Sequence, residues 1–240
     1  MVNVETIRII VGIIGNVISF FLFTSPFPTF VKIIKQKSVG EFKADPYVAT
    51  LLNCAMWCFY GMPFVHPDSV LVITINGCGF VIELIYIAIF LTYSSNAKRV
   101  SNTTKKILIA LLVEVIFFAV VVFVTLHFFH TTKGRSMIIG ILCIVCNIIM
   151  YASPLTIVKM VIKTKSVKYM PFTLSLANLC NGIVWLIYAL IKFDPYILVP
   201  NGLGLISGLV QLILYATYYK TTNWDEEDEK PKSEVQLSDV

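Results

Sequence analysis

Seven runs of apolar residues, each long enough to cross a lipid bilayer, constrain the fold of this sequence more than any other feature. They cover roughly residues 7–30, 46–64, 69–93, 105–128, 136–162, 170–191 and 195–219. A bilayer core requires about 20 predominantly apolar residues per helix. Only 14% of the 240 residues are charged, whereas soluble domains carry about 25%. The sequence therefore predicts an all-α integral membrane protein with seven transmembrane helices.

Lysine and arginine residues are concentrated in alternate connections between these runs. The connections near 31–45, 94–106 and 159–168 each hold four, whereas the intervening connections hold only Lys133, Arg135 and Lys192. Because an excess of Lys and Arg marks cytoplasmic loops, we predict a multi-pass protein with its N-terminus outside and its C-terminus in the cytoplasm. The formal net charge of +5 follows from these loops and does not indicate nucleic-acid binding.

The two halves of the chain repeat each other. "SPFPTFVKIIKQKSV" at 25–39 aligns with "SPLTIVKMVIKTKSV" at 153–167, and "ITINGCG" at 73–79 aligns with "LVPNGLG" at 198–204. The matched pairs include Asn53 with Asn181, Trp57 with Trp185, Tyr60 with Tyr188, and Asn76 with Asn201. Matching Pro46 to Pro171 instead shifts the register by three residues and places Asn53 on Asn178, which leaves Asn178 as an alternative to Asn181.

The repeat predicts a 3+1+3 arrangement of spans. Two three-helix units with the same orientation require one extra crossing between them, and the fourth span, which has no partner in the alignment, supplies it. We predict a first repeat at 1–93, a linker helix with its loops at 94–134, and a second repeat at 135–220. Residues 221–240 are acidic and polar, and they are predicted to form a disordered cytoplasmic tail.

Four motifs give the chain a family resemblance: "SPFPTF", "YVATLLNCAMW", "LVITING" and "VPNGLG". The motifs occur in this order along the chain. Over about residues 7–220, the chain resembles the plant SWEET sugar facilitators. The resemblance implies two parallel three-helix bundles in which the third helix packs between the first two. It also implies passive sugar transport by alternating access, assembly into homo- or hetero-oligomers with related transporters, and a plasma-membrane location, with a vacuolar or endoplasmic-reticulum membrane as the alternative.

The candidate binding residues are amides and indoles at repeat-matched positions. A sugar presents hydroxyls at its rim and C–H groups on its faces, so a site needs groups such as Asn for the rim and aromatic planes such as Trp for the faces. Asn53 and Trp57 lie one turn apart on a helix face, as do Asn181 and Trp185. Isolated intramembrane Asn residues commonly join helices and Trp residues mark the interface, but two matched pairs favour a pocket. The resemblance implies that the pocket comprises Asn76, Asn201, Trp57, Trp185, Asn53 and Asn181.

Matched positions on the first helix of each repeat extend this set. Ser19 matches Asn147 and Leu22 matches Met150. In the family these positions line the pocket and influence the size of the sugar, and the disaccharide-carrying branch tends to have small residues there. The larger side chains of this chain predict a monosaccharide, with glucose as the default.

Prolines and a Tyr–Asp pair are the predicted moving parts. Pro26 and Pro154 interrupt spans one and five, because each removes a backbone N–H and clashes with the carbonyl four residues earlier. Pro46 and Pro171 begin spans two and six, where they are also ordinary helix punctuation. The resemblance implies that these four prolines form a cytoplasmic hinge. Tyr60, Tyr188 and Asp194 are predicted to close the outer mouth, and Asp194 is also a predicted N-cap ahead of Pro195.

Ion coupling is not predicted. Only Glu83 and Glu114 lie well inside spans, and an intramembrane carboxylate is a functional candidate, although a hydrogen bond to a neighbouring helix is the simpler role. Proton-driven relatives usually show a "PQ" pair, whereas here Phe27 follows Pro26 and Leu155 follows Pro154. The sequence therefore predicts a uniporter, with a proton-coupled PQ-loop carrier of amino acids as the alternative.

Two other classes also have seven spans or a membrane location. A G-protein-coupled receptor would share the topology, but the internal repeat and short loops argue against it. A membrane enzyme is not predicted, since no metal-ligand cluster or nucleophile–base set is recognisable. The predicted partners are a small-molecule sugar and the lipid bilayer, with no cofactor, no metal and no nucleic acid.

Overall fold

The computed structural model describes residues 3–94 and 98–224, and the side chains of 98–101, 152 and 153 are outside this description. These residues form helices without any strand, as the hydropathy pattern predicted. The predicted tail lies outside the described residues from 225 onward. The helices are α1 (Val4–Thr24), α2 (Phe27–Gln36), α3 (Asp45–Gly61), α4 (Val70–Tyr93), α5 (Lys98–Phe128), α6 (Thr132–Met150), α7 (Ala152–Thr164), α8 (Phe172–Ile191) and α9 (Pro195–Tyr218).

These helices make the seven predicted spans. Helices α1 and α2 together form one span, Val4–Gln36, and α6 and α7 form another, Thr132–Thr164. Six spans are long and apolar enough to cross a membrane by themselves. The seventh, α3, has 17 residues and is about 25 Å long, slightly shorter than a bilayer core. The fourth span begins at Lys98, earlier than the apolar run that starts near residue 105, because its first two turns are polar.

The first break in the long spans lies at the predicted Pro26, and the second lies at Tyr151, just before the predicted Pro154. At the first break, the carbonyl of Leu22 accepts hydrogen bonds from the backbone N–H and the hydroxyl of Ser25, at 3.1 and 2.7 Å. Ser25 thus replaces the N–H that Pro26 lacks. The second break lies at Tyr151, between α6 and α7, and Pro154 occupies the first turn of α7, where a missing N–H costs nothing.

The repeat is visible in the backbone as well as in the sequence. Helices α2 and α7 both end on a lysine in the left-handed conformation, with φ of 49° at Lys37 and 53° at Lys165. These two lysines are repeat-matched. A left-handed residue at this position is a common way to end a helix.

The order of packing is that of two parallel three-helix repeats. In the first repeat α4 packs against both α1 and α3, and in the second α9 packs against both α6 and α8. The third span of each repeat therefore lies between the first two, as the resemblance implied. The repeats meet where α1 contacts α8 and α3 contacts α6, while the linker α5 packs on α3 and α6. The chain thus has the 3+1+3 architecture.

Candidate functional site

A partly open cavity of about 390 Å³ lies between the two repeats. All ten residues predicted to contact a substrate line it, and they come from six helices. Asn181 lines the cavity, whereas Asn178, the alternative in the other register, is absent from the described lining. The predicted residues at the cavity are Ser19, Leu22, Asn53, Trp57, Asn76, Asn147, Met150, Asn181, Trp185 and Asn201.

The two indoles are held by hydrogen bonds that repeat across the cavity. Trp57 Nε1 donates to Asn147 Oδ1 at 3.1 Å, and Trp185 Nε1 donates to Ser19 Oγ at 3.0 Å. Each tryptophan therefore bonds to the first helix of the opposite repeat, at matched positions. Both tryptophans are only 6% exposed, so the rings have fixed places in the wall.

The two amides of the third spans are also arranged alike. Asn76 Nδ2 donates to the carbonyl of Val72 at 2.9 Å, and Asn201 Nδ2 donates to the carbonyl of Ile197 at 2.8 Å. Among the described residues nothing donates to the side-chain carbonyl of either amide. Each asparagine thus offers the cavity an acceptor and a second N–H.

The symmetry fails at the remaining amide pair. Ser19 Oγ donates to Asn181 Oδ1 at 2.6 Å, which occupies that acceptor. The matched oxygen, Asn53 Oδ1, is buried without a hydrogen-bond partner among the described residues. An unpaired buried acceptor is costly, and Asn53 is a residue of the cavity wall.

A buried polar cluster lies at the end of the bundle that carries residues 62–69 and 192–194, called here the Tyr60 end. The Tyr60 hydroxyl donates to Asp194 at 2.8 and 2.9 Å to the two carboxylate oxygens. Asp194 is 2% exposed and also accepts from the N–H groups of Tyr196 and Ile197. The predicted Tyr–Asp contact and the predicted N-cap are therefore both present.

His66 completes this cluster, and sequence reasoning missed it. Its Nε2 lies 3.2 Å from Asp194 and its Nδ1 lies 2.9 Å from Ser136 Oγ. The Ser136 hydroxyl also donates to the carbonyl of Val65 at 2.7 Å, which ties His66 and the loop before α4 to α6. Burial alone would raise the pKa of Asp194, but the hydrogen bond and charge of His66 and the Tyr60 hydroxyl hold that pKa below its ordinary value.

Tyr188, the match of Tyr60, has a different partner. The guanidinium of Arg8 lies 4.2 Å from the centre of the Tyr188 ring, a cation–π contact. Arg8 also donates to the carbonyl of Asp68 at 2.8 Å, and the Asp68 side chain pairs with Lys192. Hydrogen bonding to Lys192 lowers the pKa of this exposed carboxyl. Arg8 was recognisable only as a single basic residue at the start of an apolar run.

The opposite end, called here the proline end, is less symmetric than predicted. Pro26 and Pro46 line the cavity, whereas Pro154 and Pro171 are absent from its described lining. Glu83 also lines the cavity, while Glu114 on α5 does not. The Oε2 atoms of both carboxylates have no hydrogen-bond partner among the described residues.

Two parallel three-helix repeats that share one polar and aromatic cavity define a membrane carrier of small molecules, with its site near the midplane between the repeats. Within the described residues, no group of three His, Cys, Asp or Glu side chains is placed to hold a metal ion. The architecture and the cavity together specify the class of protein.

Comparison with known proteins identifies the family within that class. A family model described as "Sugar efflux transporter for intercellular exchange" matches residues 9–98 and 137–223. The chain is 66% identical to bidirectional sugar transporter SWEET5 of Arabidopsis thaliana, over 95% of this chain and 93% of that one. It is 58% identical to bidirectional sugar transporter SWEET4 of the same plant, over 99% and 96%. The chain belongs to the SWEET family of sugar transporters.

The fold agrees with this identification. A solved structure of a eukaryotic SWEET transporter at 3.7 Å resolution matches with a TM-score of 0.85 and 38% identity, covering 90% of this chain and 99% of that chain. Both matched segments of the family model fall on the two repeats and leave most of α5 unmatched.

Proposed function

We propose that this protein is a facilitative uniporter that moves a hexose, glucose by default, in both directions across a membrane by alternating access. The observation that carries the proposal is the cavity at the repeat interface, walled by two fixed indoles and by amides with free acceptors. Relatives over 50% identical are named bidirectional sugar transporters, which supports sugar as the substrate class.

The chemistry of the wall suits a sugar ring. The Asn76 and Asn201 amides and the unpaired Asn53 oxygen supply acceptors and donors for hydroxyl groups. The Trp57 and Trp185 rings supply apolar planes for the C–H faces. Leu22 and Met150 occupy volume in the cavity, which favours a monosaccharide over a disaccharide.

Alternating access requires one end of the cavity to close as the other opens. We propose that the cluster of Tyr60, Asp194 and His66, whose members contact one another, closes the Tyr60 end. At the proline end Pro26 and Pro46 border the cavity, and the span breaks at Pro26 and Tyr151 provide hinges there. We propose that the four prolines serve as the hinge and that Tyr60, Tyr188 and Asp194 belong to the gate.

The remaining assignments follow from the loops and the repeat. The excess of Lys and Arg at the proline end supports an N-terminus outside and a C-terminus in the cytoplasm. We propose plasma membrane as the location, with an internal membrane as the alternative, and an oligomer of this chain or of related transporters. Functional units at 1–93, 94–134 and 135–220 are proposed, with no chemical conversion of the sugar and no cofactor.

One observation favours a second candidate, a proton-coupled carrier. Glu83 is an intramembrane carboxylate that lines the cavity, and such residues are common in proton relays. The absence of the PQ pair after Pro26 and Pro154 argues for the uniporter.

Counterflow of radiolabelled glucose in liposomes containing the purified protein tests the proposal. The Asn76→Ala and Trp185→Ala variants remove a hydroxyl acceptor and a stacking plane, and each is expected to reduce counterflow by at least about tenfold. Glucose flux with sucrose flux near background supports the hexose assignment. Equal rates for sucrose and glucose would contradict it, and wild-type rates in both variants would contradict the site.

A further inference from the structure

The cavity is asymmetric at the proline end, and the asymmetry belongs entirely to the first repeat. Three polar side chains of that repeat, Tyr47, Thr50 and Glu83, line the cavity there. In the register that matches Asn53 to Asn181, the positions related to Tyr47 and Thr50 are Ser175 and Asn178, and the position related to Glu83 is Gly208. None of these three is among the described residues that line the cavity.

The second repeat is closed at this level. A Cβ atom at Gly208 would lie 3.0 Å from the Cα of Leu179, so α8 and α9 approach closely there and leave little space for a side chain. Ser175 Oγ donates to Gln211 Oε1 at 2.9 Å in a buried contact between the same two helices. A carboxylate therefore has little room in the second repeat, whereas α3 and α4 leave space for one in the first.

Glu83 is a buried acceptor without a partner. Its side chain is 4% exposed, and its Oε2 receives no hydrogen bond from any described residue. Its electrostatic neighbours are Tyr47, Cys54 and Tyr86, which include no cation. Leaving such an oxygen unpaired is costly, so a structural role explains the residue poorly. Because Glu83 lines the cavity, rotation of its carboxyl group toward the cavity would let a ligand hydroxyl satisfy it.

The position of Glu83 separates it from the amide and indole pairs. Asn76 and Glu83 lie seven residues apart on one face of α4, which places them about 10.5 Å apart along the helix axis. A hexose bound at Asn76 and Trp57 therefore leaves Glu83 free. Thr50 Oγ1 donates to the carbonyl of Pro46 at 2.7 Å, so it too presents an acceptor to the cavity.

We propose that Glu83, with Tyr47 and Thr50, forms a second subsite for sugar hydroxyls at the proline end of the cavity. The sugar occupies this subsite on its way between the amides and indoles of the wall, called here the Asn–Trp site, and the proline end. The subsite accepts a hydrogen bond from at least one sugar hydroxyl. This inference rests on the proposed function, which supplies the substrate class. It assigns the path of the sugar at the proline end to the first repeat alone.

The test compares transport with binding at the Asn–Trp site in the full-length protein. Transport is measured as kcat/KM for glucose in liposomes. Binding is measured in detergent as the change in tryptophan fluorescence on glucose addition, which Trp57 and Trp185 report. Glu83→Leu removes the acceptor, Glu83→Gln keeps the size and one acceptor, and Glu114→Leu and Glu114→Gln are controls on the other intramembrane carboxylate with an unpaired Oε2.

A hydrogen bond is worth about two- to tenfold in an equilibrium or rate ratio. Glu83→Leu is therefore expected to lower kcat/KM by several-fold and Glu83→Gln by less. The factor is equal for influx and efflux, as a passive carrier requires. The fluorescence-derived affinity is expected to stay within about twofold of the wild type, and the Glu114 variants are expected to match the wild type in both measurements.

Three outcomes overturn the subsite. Wild-type kcat/KM in Glu83→Leu shows that no sugar contact was lost. Loss of the fluorescence response and of thermal stability in both Glu83 variants shows that the residue is structural. Wild-type flux that depends on a pH gradient, with only that dependence lost in Glu83→Gln, shows a proton site. Absence of glucose binding and flux in the wild type would instead contradict the proposed function.

Discussion

At the Tyr60 end, the Tyr60 hydroxyl lies within hydrogen-bond distance of both carboxylate oxygens of Asp194. Tyr60→Phe keeps the ring stacked on His66 at 4.6 Å and removes only the donor to Asp194. Since hydrogen bonds to charged groups are worth about 1.5–3 kcal/mol, we predict that the Tyr60 end opens at least about tenfold more often. Cys143, which is completely buried, should then react faster with an impermeant maleimide.

Tyr188→Phe is the matched control for this prediction. Its ring contacts Arg8, and its hydroxyl makes no hydrogen bond to Asp194. Cys143 in the Tyr188→Phe variant should therefore react with maleimide at the wild-type rate. Equal rates for all three proteins would show that the Tyr60 hydroxyl does not hold the gate.

Asp194 predicts how stability depends on pH. Its folded-state pKa lies below the ordinary value, which is about 3.9 in unfolded chains. The charge therefore contributes stability that is fully present above about pH 4 and is lost as pH falls through the lowered pKa. The melting temperature of Asp194→Asn should lie below that of the wild type at pH 7, and the difference should shrink below about pH 4. A constant difference down to pH 3 would contradict this.

Among single residues, the sequence predicts those that occur at matched positions in both repeats. The amide and indole pairs were recognisable because each occurs twice, and the structure places all ten predicted residues at one cavity. His66 lies in a loop without periodicity and has no match, so nothing in the sequence links it to Asp194. The free oxygen of Asn53 and the occupied one of Asn181 depend on rotamers, which the sequence does not determine.

The break between α1 and α2 is the element through which Pro26 acts. Pro26→Ala restores a backbone N–H to the carbonyl of Leu22, which Ser25 now satisfies, and favours a continuous helix. We predict a higher melting temperature and several-fold slower glucose counterflow. Pro28→Ala is the control, because Pro28 is exposed and lies in the first turn of α2, where proline is tolerated. Slower counterflow in both variants would show a general defect.

The contact between α8 and α9 depends on Gly208. An added Cβ would lie 3.0–3.2 Å from the backbone and Cβ of Leu179, and overpacking of this kind costs about 1–3 kcal/mol. Gly208→Ala should therefore lower the melting temperature by several degrees. Gly202→Ala meets only a side-chain atom of Leu186 at 3.7 Å and should be nearly neutral. Similar melting temperatures for the two variants would contradict the close approach of these helices.

Span boundaries were predicted better than breaks. Hydropathy located all seven spans to within a few residues, apart from the polar first turns of α5. The second break lies at Tyr151 and not at Pro154, because a proline is accommodated in the first turn of a new helix. A pattern of residues shows that a helix is interrupted but not which residue leaves the helical geometry.

For the whole molecule, the internal repeat predicted the architecture, since two parallel three-span units need one linker span. The repeat does not predict which end of the cavity would be open and which would be closed. Open and closed states of a carrier share one sequence and differ by only a few kcal/mol. Nor did it predict that the first repeat alone lines the proline end, because that difference arises from close packing at Gly208.

Uniport through the shared cavity is the central claim, and the level to which glucose equilibrates tests it most directly. Liposomes containing the purified protein are incubated with radiolabelled glucose, with and without an imposed pH gradient, until uptake stops. We predict that the internal concentration reaches the external one in both cases and never exceeds it. Accumulation above the external concentration that follows the pH gradient, or no protein-dependent uptake at all, would contradict a facilitative hexose carrier.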